Sequence, residues 1–319
     1  MKLAQRMLAR TMPMSRSRFV LLYALICLIW GSTWTVIRIG EDAALDPFLG
    51  ASIRFIIASI ILWALVLARR VPMPRGKVEW RAAIINGLLG AAGSYTIVYW
   101  TSQFVPSGLE AVIFGTMPLW TIVISQLILR SERPSMQKVL GVILGFAGLL
   151  LIFLPGLTIG NNARIGAMLL MLGSPFVSAV SLVITKRDAK GIEPLALNAI
   201  SISIAMAVLT ILSLLTNDLS KVHLTSTHLW TIGYLATFGT VVTFVVYYHL
   251  LRTNAAIVMS YVSLITPVIA VFTGWLLLNE HLSLYAIAGA LAVIIGIRLT
   301  LIDRSPIDRS QSVAALDLD

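Results

Sequence analysis

The sequence predicts an all-α polytopic membrane protein, with ten transmembrane helices in two inverted five-helix repeats. Three observations carry that prediction. First, 58% of the residues are hydrophobic and 12% are charged, well outside soluble-domain usage. Second, the apolar residues gather into ten runs of about 20, the length a helix needs to cross the hydrocarbon core. Those runs are 19–39, 47–68, 82–103, 108–129, 137–155, 165–185, 193–215, 229–251, 255–278 and 283–302. Third, landmarks of the first half recur in the second. Tyr99, Glu132, Gly141 and Gly148 return as Tyr247, Glu280, Gly289 and Gly296 after 148 residues, and Pro118 returns as Pro267 after 149. Each copy holds five spans, an odd number, so the second copy enters the membrane upside down relative to the first.

Residues 1–18 are a basic N-terminal segment. The run behind it is longer than a signal-peptide core and lacks a small-residue cleavage pattern, so 19–39 reads as the first span. Asp46-Pro47 opens the second, because a capping carboxylate followed by proline starts a helix. Two prolines between Arg69 and Lys77 separate the second span from the third. Ser107-Gly108-Leu109-Glu110 reads as a capping box at the head of the fourth. Pro155-Gly156 ends the fifth, so the first repeat covers 19–155, a connector 156–164, the second repeat 165–302, and a polar tail 303–319.

The net charge of +10 could point to nucleic acid, but its distribution points to the membrane. With the N-terminus cytoplasmic, 19 of the 24 basic residues fall in inside segments, whereas outside loops hold only Arg164 and Lys221. That bias is the positive-inside rule for ten spans with both termini cytoplasmic. The basicity orients the protein and is no nucleic-acid footprint. Cys27 is the single cysteine, so there is no disulfide framework or cysteine metal cluster. No GxxxxGK[ST] sequence or long loop offers a nucleotide site, and no cofactor or metal is expected.

Arg54 is the sharpest candidate for chemistry. It lies about seven residues, roughly 10 Å, inside the second span, where a charge is costly and faces a cavity or a partner. It either attracts a carboxylate or phosphate on a substrate or bonds backbone carbonyls near the outer surface. Glu110 is a helix cap by its spacing; pairing with Arg54 or carrying a proton is its other reading. His249, the one imidazole inside a span, is the remaining candidate for proton coupling. No Asp or Glu lies at the middle of a span.

Polar and aromatic residues concentrate in the third span (Ser94, Tyr95, Thr96, Tyr99, Trp100, Gln103) and in its repeat mate, the eighth (Thr240, Thr243, Tyr247, Tyr248). Thr96 and Tyr99 share a face by i, i+3 spacing, as do Thr240 and Thr243. Such stripes either join helices or line a cavity. Trp34, Trp120 and Tyr261 add aromatic surface within spans. Pro118 and Pro267 each read as a mid-membrane kink, static or hinge-like. Gly141, Gly145 and Gly148, echoed by Gly289 and Gly296, form a close-packing face for the bundle or a homodimer.

Several of these elements together resemble the EamA domains of the drug/metabolite transporter superfamily. Ile29-Trp30-Gly31-Ser32-Thr33 resembles the W-G-[ST] opening of that domain, and Arg54-Phe55 its R-F element. Pro118 with Ser131-Glu132-Arg133, and Pro267 with Asn279-Glu280-His281, resemble its P-(x)n-E-R element. His281 in place of arginine, and Gly173-Ser174-Pro175 where Trp-Gly would open the second copy, depart from it. The resemblance implies a secondary active or facilitative transporter in the inner (plasma) membrane that exports small metabolites by alternating access. It also implies a central cavity built from spans 1, 3, 4, 6, 8 and 9. The polar, carboxylate-poor stripes suit amino-acid-like, zwitterionic or amphipathic solutes. The expected substrate-binding residues are Arg54, Trp34, Thr96, Tyr99, Gln103, Trp120, Thr243, Tyr247 and Tyr261. An enzyme would need a cluster of acid, base or metal ligands, and the four histidines are scattered. The alternative is a non-transporting membrane sensor or scaffold. The expected partners are a small-molecule substrate, the lipid bilayer and a second copy of the chain.

Overall fold

The computed structural model describes residues 15–43, 45–105, 107–129, 135–154, 162–216, 224–278 and 283–302. The turns holding Glu132 and Glu280, the Pro155-Gly156 stop, most of the connector and both tails lie outside these residues. Ten apolar helical elements run through the described chain. They are α1 (Arg16–Asp42), α2 (Pro47–Ala68), α3 (Lys77–Thr101), α4 in two pieces (Ser107–Phe114 and Met117–Ile128) and α5 (Met136–Phe153). The second repeat supplies α6 in two pieces (Asn162–Met171 and Gly173–Asp188), α7 (Pro194–Thr216), α8 (Ser226–Leu251), α9 in two pieces (Ala256–Ser260 and Val262–Leu278) and α10 (Leu284–Ile302). Connections are short, so successive helices alternate in direction. The end where α1 begins is termed the near end and the opposite one the far end.

The helices start where the turn chemistry places them. The Asp46 carboxylate accepts the Leu49 N–H at 2.9 Å with Pro47 in the first turn, and Ser135 Oγ accepts the Lys138 N–H at 3.2 Å. Packing then repeats with the two copies exchanged. α1 lies on α9 as α6 lies on α4, α3 lies on α6 as α8 lies on α1, and α2 pairs with its own mate α7. Ser52–Thr210 (2.9 Å), Ser59–Ser203 (2.9 Å) and Trp63 Nε1–Ser203 (2.8 Å) hydrogen bonds join that last pair.

The helices α5 and α10 meet through glycine. A Cβ on Gly148 would fall 2.6 Å from the Gly289 carbonyl oxygen, and one on Gly296 would fall 2.5 Å from that of Gly141. The glycine faces therefore bring the two backbones together inside one chain. Neither helix borders the central cavity.

Two features depart from uniform α-helix. The π-helical segments Asn86–Gly93 in α3 and Thr237–Val242 in α8 occupy nearly equivalent positions in the two repeats. In α8 threonines satisfy the displaced carbonyls: Thr240 Oγ1 donates to Leu235 O (2.9 Å), and Thr243 Oγ1 to Phe238 O (3.1 Å) and Gly239 O (2.9 Å). The prolines, expected as a pair of mid-helix kinks, sit differently in the two copies. α4 breaks at Gly115-Thr116, and Pro118 sits in the first turn of the new piece, where no intrahelical N–H is needed. In α9 the break is at Tyr261, and Pro267 lies inside the longer piece.

Candidate functional site

A cavity of about 160 Å³ lies at the centre of the bundle. Helices α1, α3, α4, α6, α8 and α9 wall it, and α2 contributes Arg54 alone. Arg54 is the only charged side chain among the lining residues, and it is 2% exposed. It follows directly before Phe55, which is fully buried and packs edge-on against Tyr95, with ring centroids 5.0 Å apart.

Among the described residues the guanidinium is held by neutral groups. Nε donates to Thr240 Oγ1 (2.9 Å), Nη1 to the Tyr99 hydroxyl (3.3 Å), and Nη2 to Gly239 O (3.3 Å) and the Tyr95 hydroxyl (3.5 Å). Its central carbon lies 5.2 Å from the Tyr95 ring centroid and 5.5 Å from that of Phe55. No carboxylate faces it among the described residues, and Glu110, itself buried, accepts instead from Thr101 Oγ1 at 2.6 Å. Of the five N–H donors of the fork, one on Nη1 has no acceptor among the described residues. Carbonyl, hydroxyl and ring dipoles offset part of the cost of burying the charge and leave its sign intact. The site therefore presents a positive field in a low-dielectric cavity.

Beside the arginine stands an aromatic wall. Trp30 packs on Phe244 and Tyr247, both at 5.2 Å between centroids, and its Nε1 donates to Gly239 O at 3.1 Å. That carbonyl, in the π segment of α8, thus accepts from Trp30, Arg54 and Thr243 together. Ser178, Ser181, Ser260 and Ser263 give the remaining lining a polar edge.

Toward the near end a layer of polar contacts lies beneath the cavity. Tyr248 and Ser181 both donate to Asn86 Oδ1 (2.6 and 2.9 Å), and Asn86 Nδ2 donates to Ser201 Oγ (2.9 Å), tying α3, α6, α7 and α8. Tyr23 donates to Val258 O (2.8 Å), and Tyr247 to Met259 O (3.4 Å). At the end itself Arg81 meets Asp188 (3.1 Å), and Lys186 donates to Leu251 O (2.9 Å).

Of the nine residues expected to bind substrate, Arg54, Trp34, Tyr99 and Tyr247 line this cavity and the other five do not; Ser94, Tyr95 and Tyr248 of the polar stripes also line it. Thr96 is outside the lining, its hydroxyl buried with no hydrogen-bond partner among the described residues. Gln103 is exposed in the turn after α3, donating to Tyr99 O and Trp100 O. Trp120 packs on Phe176 at 5.3 Å, Thr243 bonds the π segment, and Tyr261 is buried against α5 and α10. His249 is exposed in the last turn of α8, facing a separate near-end cleft. Pro118 opens the second piece of α4, Pro267 lies within the longer piece of α9, and neither lines this cavity. Trp30, read from sequence as the opening of the family element and not as a binding residue, is on the wall; sequence reasoning missed Ser178 and Ser181 there and Asn86 beneath it. The available signal was spacing: Asn86, Gly90, Ser94 and Val98 recur every four residues on one face of α3.

The model of the EamA-like transporter family matches residues 17–154 and 165–302. The uncharacterized inner membrane transporter YedA of Escherichia coli (strain K12) is 33% identical over 265 residues, covering 83% of this chain and 84% of its own. The uncharacterized transporter YoaV of Bacillus subtilis (strain 168) is 29% identical over 273 residues, covering 85% and 92%. A solved crystal structure at 18% identity superposes with a TM-score of 0.77, covering 91% of this chain and 99% of that one, and shares the fold.

Proposed function

Because the chain belongs to the EamA-like transporter family and is an integral multi-pass membrane protein, we propose that it moves small solutes joining a carboxylate to an apolar or aromatic body. The observation that supports this most is Arg54, a buried cation at the cavity wall held by neutral partners among the described residues. A carboxylate would take the remaining Nη1 donor and neutralise the field. The aromatic wall of Trp30, Phe244 and Tyr247 would cover the body of the solute, and an ammonium of a zwitterion would find those ring faces. At about 160 Å³ the cavity is below the usual range for drug-sized ligands, which favours small metabolites of amino-acid size. The test is counterflow in proteoliposomes with a panel of amino-acid-like acids, their amides and dicationic compounds. Exchange of the acids and none of the dications is expected; exchange that ignores the carboxylate sinks the reading.

The near end is taken as cytoplasmic, following the basic inside segments, and the layer of polar contacts then lies on the cytoplasmic side of the cavity in this conformation. Transport proceeds by alternating access, with the Tyr23, Asn86–Tyr248 and Arg81–Asp188 contacts opening to admit solute for export. The single cysteine reports that opening. Cys27 is 3% exposed in the packed layer beneath the cavity. Maleimide labelling of Cys27 should be slow in the wild type. Asp188→Asn, which removes the partner of Arg81 and Arg187, should speed it by up to about fivefold, the scale of an exposed ion pair. An unchanged labelling rate in that variant removes Asp188 from the closure.

A further inference from the structure

We infer that a basic cleft at the near end, separate from the central cavity, binds the phosphate headgroup of an anionic phospholipid. The cleft encloses about 550 Å³ and is lined by Arg18 at the start of α1, Arg69 and Arg70 at the end of α2, and His249 in the last turn of α8. Three chain segments far apart in sequence thus bring three arginines and an imidazole to one hollow. Among the described residues none of the three arginines has a carboxylate partner. The one acidic residue in the lining, Glu193, is engaged by Arg252 at 3.7 Å.

Arg70 carries a second, independent signal. Its φ of 48° places it in the left-handed region, where glycine is the usual residue closing a helix. Val71 N–H to Val66 O (3.0 Å) and Arg70 N–H to Leu67 O (3.1 Å) complete that closing turn. Arg70 is thus an arginine in a glycine conformation next to Arg69, and both line the cleft.

The walls favour a lipid over a soluble phosphate. Leu22, Val71, Val245 and Val246 form the sides, and α1 continues from Leu22 through Leu25 and Leu28, both exposed, at spacings that keep an apolar track on the membrane-facing side. Basic pockets between helices at the cytoplasmic membrane surface are suited to anionic headgroups. The cleft joins such a pocket to a surface for acyl chains.

The test is native mass spectrometry of delipidated, detergent-purified protein titrated with phosphatidylglycerol, phosphatidylethanolamine or glycerol phosphate. The wild type should retain one phosphatidylglycerol at least tenfold more tightly than phosphatidylethanolamine, and glycerol phosphate should bind weakly. Arg70→Gly is the informative variant, since glycine suits that backbone and the protein should melt no lower than the wild type while losing most of the preference. Arg18→Gln combined with Arg70→Gly should abolish it. Equal retention of the two lipids, an undiminished preference in the double variant, or glycerol phosphate binding as tightly as phosphatidylglycerol would each overturn the assignment.

Discussion

Replacing Arg54 with glutamine is expected to lower kcat/KM for carboxylated solutes by about 10- to 100-fold while leaving the protein folded. A hydrogen bond to a charged group is worth about 1.5–3 kcal/mol, and 1.4 kcal/mol is a factor of ten. The fold should survive because two of the partners of Arg54 have other bonds. Thr240 Oγ1 also donates to Leu235 O, and Gly239 O also accepts from Trp30 and Thr243. Removing a buried charge that no carboxylate balances also removes its desolvation cost, which offsets part of the lost hydrogen bonding. Transport of an uncharged amide analogue should therefore fall far less than that of the acid. Arg54→Lys should be intermediate, because an ammonium keeps the charge but cannot span Thr240, Tyr99 and Gly239 as the planar fork does. Paired measurements of acid and amide counterflow, beside a thermal melt, decide the matter. Equal losses for both solutes would make Arg54 a structural residue.

The second large effect is expected at the glycine contact between α5 and α10. In Gly148→Ala the new Cβ meets the Gly289 carbonyl at 2.6 Å and the Val293 nitrogen at 2.8 Å; in Gly296→Ala it meets Gly141 O at 2.5 Å. These neighbours are backbone, so the helices must separate, at a cost of about 1–3 kcal/mol. A drop of several degrees in Tm should follow, at about 2–4 °C per kcal/mol for a chain of this size class. Gly166→Ala and Gly233→Ala are the controls. Nothing lies within 4 Å of a Cβ at either position, and alanine improves the helix by up to about 1 kcal/mol. The two pairs should move in opposite directions. If all four behave alike, the close approach of α5 and α10 is not what holds these helices.

Arg54 is legible from sequence because a charge inside an apolar run has to be explained by something nearby. What explains it is not legible, since its partners lie 41 to 186 positions away along the chain. Local spacing misleads at one point. Pairing Tyr99 with Thr96 by i, i+3 selects a residue outside the lining, whereas the i, i+4 neighbour Tyr95 shares the guanidinium. The choice between those spacings depends on the winding of α3, which widens between Asn86 and Gly93. His249 shows the limit of hydropathy in another way. The apolar run carries on to the end of α8, where Tyr248, Leu250 and Leu251 stay buried and His249 alone takes the exposed side of the last turn. The glycine faces are readable as small surfaces from their spacing, and only the assembled bundle makes them each other's partner.

The wide turns of α3 and α8 give the bundle a stored phase. Each residue adds about 100° of rotation in an α-helix. A residue absorbed by a π turn therefore offsets everything beyond it by that angle relative to an unbroken spiral. In α8 the offset falls between Leu235, on the far side, and Tyr247 and Tyr248, which face the cavity. Tightening the segment to α geometry would swing both tyrosines off the wall and withdraw the Gly239 carbonyl shared by Arg54 and Trp30. What the cavity displays is thus set by how a few turns are wound as well as by how the helices tilt.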